Sequence, residues 1–295
     1  MFDNMLYLLI LIAVGYFVNQ KMNAERLKTG IKLFLIYLGI PGIVFYSLVS
    51  FDAPVAEFMV ISIAVAISFF SYMLLSWVGN EIFNKEDKGI YVLLISFPNS
   101  GFLGLPICYV LFGDSGLYFA SIYILICTLI HYTIGLFLSL QSEFKDVKFA
   151  LKGVGRFPIV YSMCIILVLF LLDLDLPSTI LSGLYYLGEL TTFLAVFFIG
   201  ASLEFYGDDP VRSIVKESAY VGAFRFFISP AIMFLLCIYF EIKPDILVLE
   251  ASMPPAISNT VLAAHYSMNK GLSANITTVL TVVFIITFSL ISVVI

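Results

Sequence analysis

Apolar stretches long enough to cross a lipid bilayer follow one another along this sequence from residue 4 to residue 294. A helix rises about 1.5 Å per residue, so a run of about 20 apolar residues spans the hydrocarbon core. Parsed by their polar interruptions, the runs are 4–19, 28–50, 57–79, 89–112, 116–140, 157–173, 178–203, 217–240, 246–266 and 271–294. Their lengths and composition read as helices, so the expected fold class is an all-α polytopic membrane protein of ten transmembrane helices. Composition agrees. The 295 residues are 61% hydrophobic and 12% charged, whereas a soluble domain carries about 25% charged residues. No basic leader precedes the first run, which reads as a retained helix and not as a cleaved signal. No basic stripe with interleaved aromatics suggests a nucleic-acid partner.

Lys and Arg set the orientation. With the N-terminus outside, the inner loops carry thirteen of the fifteen basic residues: Lys21, Arg26, Lys28, Lys32, Lys85, Lys88, Lys145, Lys148, Lys152, Arg156, Arg212, Lys216 and Lys270. The outer side holds only Lys243, and Arg225 falls within a run. That bias places both termini outside. The longest connection is an inner one and divides the chain into a first five-helix unit (1–140), a linker (141–156) and a second five-helix unit (157–295). Five is odd, so the second unit enters the membrane from the opposite side, and any repeat is an inverted one.

Two of the runs are broken by proline. FPNSGFLGLP (97–106) lies in the fourth and MPPAISN (253–259) in the ninth, matching positions of the two units. Pro98 aligns with Pro254, and each break is followed by an apolar half-helix, a polar turn with Gly and a last run. Non-helical backbone at membrane depth survives only where it is buried in protein or lines a watery cavity. Each break also creates a new helix N-terminus carrying about half a positive charge. Two such ends approaching from opposite sides favour an anion without a Lys or Arg, and both broken segments lack Lys and Arg. A plain proline kink explains one break. Two breaks at matching places, each with an Asn, favour a binding site, and Pro98, Asn99, Ser100, Pro254, Pro255 and Asn259 are its candidate residues.

Fewer expectations attach to the remaining polar residues. Arg225 sits about 12 Å along its helix from Glu217. It either snorkels to the inner interface or faces a cavity, and Glu189 is a candidate partner, a proton-coupling group or a residue near the outer interface. Glu250 reads as interfacial. His131 and His265 read as helix-end or interface residues and are too few for a metal site. The four cysteines read as free apolar thiols. Gly and Ala of FIGASL (198–203) read as a close helix contact.

The stretches FPNSGFLGLP, FIGASL, FRFFISPAIM and MPPAISN, with LIAVGYFVNQK and the IPG of residues 40–42, resemble the auxin efflux carrier family over nearly the whole chain. The short central loop is similar to that of the bacterial members, which implies a bacterial plasma membrane. The resemblance implies two inverted repeats, a scaffold and a transport domain, and helices four and nine crossing at Pro98, Asn99, Pro254 and Pro255, as in sodium/proton antiporters and bile-acid symporters. It further implies elevator-type alternating access, a mono- or dicarboxylate substrate and a homodimer. No phosphate-binding loop or protease motif is present, so the expectation is a secondary carrier of a small organic anion in the lipid bilayer, without a cofactor and not an enzyme. Coupling to a proton or to sodium stays open. The rival readings are a cation/proton antiporter, disfavoured because 96–106 and 253–261 contain no acid, and a membrane receptor built on the same fold.

Overall fold

The computed structural model describes residues 2–22, 25–83, 85–144, 147–148, 158–172, 176–207 and 210–294. Lys145, Lys152 and Arg156, with most of the expected linker, lie outside the described residues. The described chain is helical. In order it runs α1 (Phe2–Met22), α2 (Glu25–Phe34), α3 (Ile40–Ser50), α4 (Val55–Ile82), α5 (Lys88–Ser96), α6 (Leu105–Ile130), α7 (Leu136–Phe144), α8 (Pro158–Leu171), α9 (Ser178–Ala201), α10 (Val211–Ala223), α11 (Ser229–Tyr239), α12 (Asp245–Ala251), α13 (Ile257–His265) and α14 (Lys270–Val294). Four short π-helical segments, Leu35–Gly39, Ser100–Gly104, His131–Gly135 and Phe224–Ile228, join neighbouring helices. Among the described residues, six stretches are long and apolar enough to cross a membrane: Glu25–Ser50, Val55–Ile82, Ser100–Glu143, Ser178–Ala201, Val211–Tyr239 and Lys270–Leu290. They make this a polytopic membrane protein. The 44-residue stretch turns sharply at Gly113, where φ is 61° and ψ is −142°, a conformation that favours glycine.

The helices pack in two groups. In the first, α9 lies against α1, α2 and α3, and α3 also touches α8. Two glycines permit the close approach of α1 and α9. A Cβ on Gly200 would stand 1.9 Å from the Ile12 carbonyl oxygen, and one on Gly15 would stand 2.1 Å from that of Phe197. The expected small-residue contact of 198–203 is therefore real, and its partner is the first helix. In the second group α4 packs on α5, α6 and α11, α12 on α6 and α11, and α14 on α10 and α13. Contacts of α6 with α3, α8 and α9 join the two groups.

The loops gather at two ends. At one end Asn269 donates to Asp87 at 2.8 Å, Lys85 pairs with Glu217, and Lys28 with Glu204. At the other, residues around Phe51, Glu57, Ser115 and Lys243 share one cavity. Large apolar side chains on α1, α4, α8 and α11 are exposed, including Phe17, Leu74, Ile165 and Leu235, as lipid-facing surfaces are.

Candidate functional site

Proline ends α5 at Ser96 because Pro98 has no N–H to continue the helix. The chain then runs extended for three residues before turning into Ser100–Gly104 and α6. Pro254 and Pro255 do the same between α12 and α13. The two extended segments cross as an antiparallel pair: Asn99 N–H donates to the Pro254 carbonyl at 2.7 Å, and Ala256 N–H donates to that of Phe97 at 3.0 Å. Pro98 faces Pro255 across this bridge. Each interruption therefore satisfies the backbone groups that the other frees.

Four helix ends meet at the crossing. The carbonyl ends of α5 and α12 converge on the guanidinium of Arg225, which is fully buried. It donates to Ile95 at 3.0 Å, to Ala251 at 2.7 Å, and to Met253 at 3.1 and 3.0 Å. Arg225 neither snorkels nor pairs with Glu189. Instead it places a full positive charge against two partial negative ones. Glu189 is on the surface, where it accepts a hydrogen bond from Tyr109 at 3.0 Å.

The opposite ends, the N-termini of the helix beginning at Ser100 and of α13, open on a cavity of about 60 Å³. Its walls include Pro98, Asn99, Ser100, Ala256 and Ser258 from the crossing, Cys127, Thr128 and His131 from the second packing group, and Ile36 and Ile40 from the first. The cavity thus lies on the seam between the groups. The structure brings Pro98, Asn99 and Ser100 to it directly.

The two asparagines differ. Asn259 is fully buried and its amide donates to the carbonyls of Leu93 at 3.0 Å and Phe97 at 3.3 Å. Both partners are acceptors, which fixes the amide orientation. Its donors are spent on tying α13 to the end of α5. Asn99 is 2% exposed, and its amide nitrogen has no protein partner. Asn99 lines the cavity, and that nitrogen is a buried donor without a protein acceptor.

Two residues differ from their sequence-based reading. His131 is buried, stacks on Phe97 with ring centroids 4.2 Å apart, and leaves Nε2 unpartnered. It is a wall of the crossing cavity and not an interface residue. A signal was present: Cys127 and His131 are four apart, one turn of a helix, and so share a face. Glu250 is also buried, not interfacial. Its helix, α12, begins at Asp245 as the run 246–266 implies, but Glu250 lies on the face that carries Ile246 and Leu247 into the packed interior.

A second, larger cavity of about 230 Å³ lies on the same seam. Lys28, Lys32, Lys270, Glu25 and Glu204 line it together with Ile257 and Thr260 at the start of α13. It opens from the lysine-rich end of the molecule. Among the described residues no three His, Cys, Asp or Glu side chains gather as a metal site.

Comparison with known proteins bears on these observations. Residues 1–292 match the family described as membrane transport protein. An uncharacterized transporter of Methanocaldococcus jannaschii, MJ1031, is 30% identical over 287 residues, which cover 92% of each chain. An uncharacterized transporter of Methanothermobacter thermautotrophicus is 25% identical, covering 99% of this chain and 97% of its own. The uncharacterized transporter YfdV of Escherichia coli is 23% identical over 90% of this chain and 88% of its own.

Proposed function

The chain belongs to the membrane transport protein family, the auxin efflux carrier family that its motifs resemble, and from that premise we propose that it is a secondary transporter of a small organic anion. A transporter role and an integral membrane location follow from the family. The substrate class rests on one observation: two helix N-termini open on a cavity that Asn99, with its unpartnered amide nitrogen, lines and that Arg225 does not enter. N-terminal N–H groups and an amide donor favour a carboxylate. A cavity of about 60 Å³ exceeds the ~10–15 Å³ that one water requires and suits a carboxylate headgroup.

The mechanism we infer is of the elevator type. The ten-helix, inverted-repeat reading makes α1, α2–α3, α8 and α9 a scaffold and the remaining helices the moving body. Support comes from the packing, since both cavities lie on the seam between those groups. Each body draws helices from both halves of the sequence. The scaffold's exposed apolar faces suit a homodimer contact. The lysine-rich end is the cytoplasmic one by the basic-residue bias, and the plasma membrane of a bacterium is the inferred location. Lys28, Lys32 and Lys270 then raise the local concentration of anions at the mouth of the inner cavity.

A thermal-shift screen of purified protein against acetate, succinate, malate and indole-3-acetate tests substrate class, because a ligand bound only to the folded state raises its unfolding midpoint. Counterflow of the stabilising acid in proteoliposomes tests transport. At least one acid stabilises and exchanges if the reading holds. Binding without counterflow would instead favour a receptor.

A further inference from the structure

Glu250 is fully buried beside the crossing. Its Oε1 lies 3.5 Å from the Cys108 thiol, and its Oε2 has no hydrogen-bond partner. The carboxyl is pressed against the Cα of Gly104, where a Cβ would stand 2.2 Å from Oε2. The titratable groups facing it are few. From α6 they are Cys108, Tyr123 and Cys127. The Ser100–Gly104 segment packed against it has no ionisable side chain, and α11 presents Cys237 as its only buried one. Arg225 is the nearby cation, but its donors go to the carbonyls of Ile95, Ala251 and Met253 and to the Ser229 hydroxyl. Among the described residues Glu250 makes no ion pair.

An unpaired carboxylate in such a place costs several kcal/mol even after relaxation, so the group holds its proton. We propose that Glu250 is a proton-binding site of the moving body and the group through which a proton gradient couples to transport. This coupling role rests on the transporter reading above. A proton fits better than sodium, because a hard cation takes several oxygen ligands and the atoms against this carboxyl are a thiol and a glycine Cα. In the cycle the O–H bond of Glu250 breaks when the site meets water on one side, and the proton passes to that water. On the other side the carboxylate takes a proton back from water, so the atoms and charge balance over one turn. Glu250 lies three positions before the second break, just outside the acid-free stretches 96–106 and 253–261.

Infrared spectroscopy of the protein in lipid at neutral pH reads the proton directly. The parent should show the carbonyl stretch of a protonated carboxyl, shifted in deuterium oxide, and Glu250→Gln should lack it. If Glu250→Gln fails to fold, Cys108→Ser serves, since a hydroxyl at that position bonds more strongly to Oε1 and should lower the frequency of the band. An absent band, one that survives Glu250→Gln, or one unmoved by Cys108→Ser would overturn the site. So would its disappearance when choline chloride is replaced by sodium chloride, which would assign the site to sodium. Pyranine-loaded proteoliposomes then test coupling with whichever of acetate, succinate, malate and indole-3-acetate exchanges in counterflow. The parent should change internal pH during uptake down the acid's gradient, and Glu250→Gln should take up the acid without that change. Uptake by the parent with no pH change would refute coupling while leaving the proton site standing. If none of the four exchanges, the transporter reading fails and the coupling role with it, while the infrared band still decides the proton.

Discussion

The buried polar side chains of the crossing divide into those that hold it together and those that are available to a ligand. Arg225 and Asn259 belong to the first kind: Arg225 donates to carbonyls at the ends of α5 and α12 and to the Ser229 hydroxyl, and Asn259 donates to two carbonyls at the end of α5. Removing either leaves buried carbonyls unpaired, at about 1–3 kcal/mol for each group. Arg225→Leu should therefore lower the unfolding midpoint severely, and Arg225→Lys should restore it only in part, because one ammonium cannot reach carbonyls on both segments with the guanidinium's spread. Asn259→Ala should lower the midpoint more modestly, by the loss of two bonds. Asn99→Ala should leave the midpoint nearly unchanged, and it should weaken carboxylate binding roughly tenfold to a hundredfold, the equivalent of about 1.5–3 kcal/mol. Thermal unfolding and ligand titration on the same four variants check all of this, and a large loss of stability in Asn99→Ala would place that residue with the structural set. The sequence made both asparagines visible, at matching breaks, but not their division of labour. Which amide finds carbonyls depends on where the end of α5 lies relative to α13, and that is set by tertiary packing.

At the scale of elements, breaks and close contacts were legible because Pro and Gly act locally. Pro98, Pro254 and Pro255 lack the N–H that a helix interior requires, and the chain leaves the helix at each break. Three of the four π-helical turns, Leu35–Gly39, Ser100–Gly104 and Phe224–Ile228, end two residues before a proline, Pro41, Pro106 and Pro230, whose missing N–H and ring disturb the preceding turn, while His131–Gly135 carries no such mark. Three of them supply Ser100, His131 and Arg225 to the crossing, and the fourth, Leu35–Gly39, puts Ile36 on the cavity wall. Glycine contacts give a direct test. Gly200→Val would drive a Cβ into the Ile12 carbonyl, whereas Gly183 has open space around it. Gly200→Val should lower the unfolding midpoint, by overpacking worth at least about 1–3 kcal/mol, and Gly183→Ala should hold or raise it, since Ala is favoured over Gly in a helix by about 1 kcal/mol. Beyond the end of α9, Glu204 ties three elements together, accepting from Asn19 at 2.8 Å and Tyr206 at 2.6 Å and pairing with Lys28. Burial opposes its charge, but the bonds from Lys28, Tyr206 and Asn19 outweigh it and hold the carboxyl below its ordinary value of 4.5. A lowered folded-state value contributes stability that is complete above the ordinary value and is lost as pH falls through the lowered one. Stability measured against pH should thus fall on the acid side, and Glu204→Gln should flatten that limb. An unchanged limb would show that this cluster contributes nothing.

For the whole molecule, the membrane class followed from composition and run length alone, because lipid permits so few solutions for a spanning chain. The seam between packing groups was hidden, since neither group is continuous in sequence. Orientation is open to a chemical test. In a thiol-free background, cysteines replacing Ser115 and Ser178 should react with an impermeant reagent from outside, and one replacing Lys148 should not. Labelling of position 148 alone would invert the assignment of the lysine-rich end. The central claim is that helix N-termini and Asn99 hold a carboxylate at the crossing, and titration of one acid and its uncharged amide against the parent and Asn99→Asp tests it most directly. The account predicts that the parent binds the acid and not the amide, and that Asn99→Asp, which adds a negative charge to the same wall, loses the acid while remaining folded. Equal binding of acid and amide by the parent, or binding of the acid by Asn99→Asp as tight as the parent's, would contradict it.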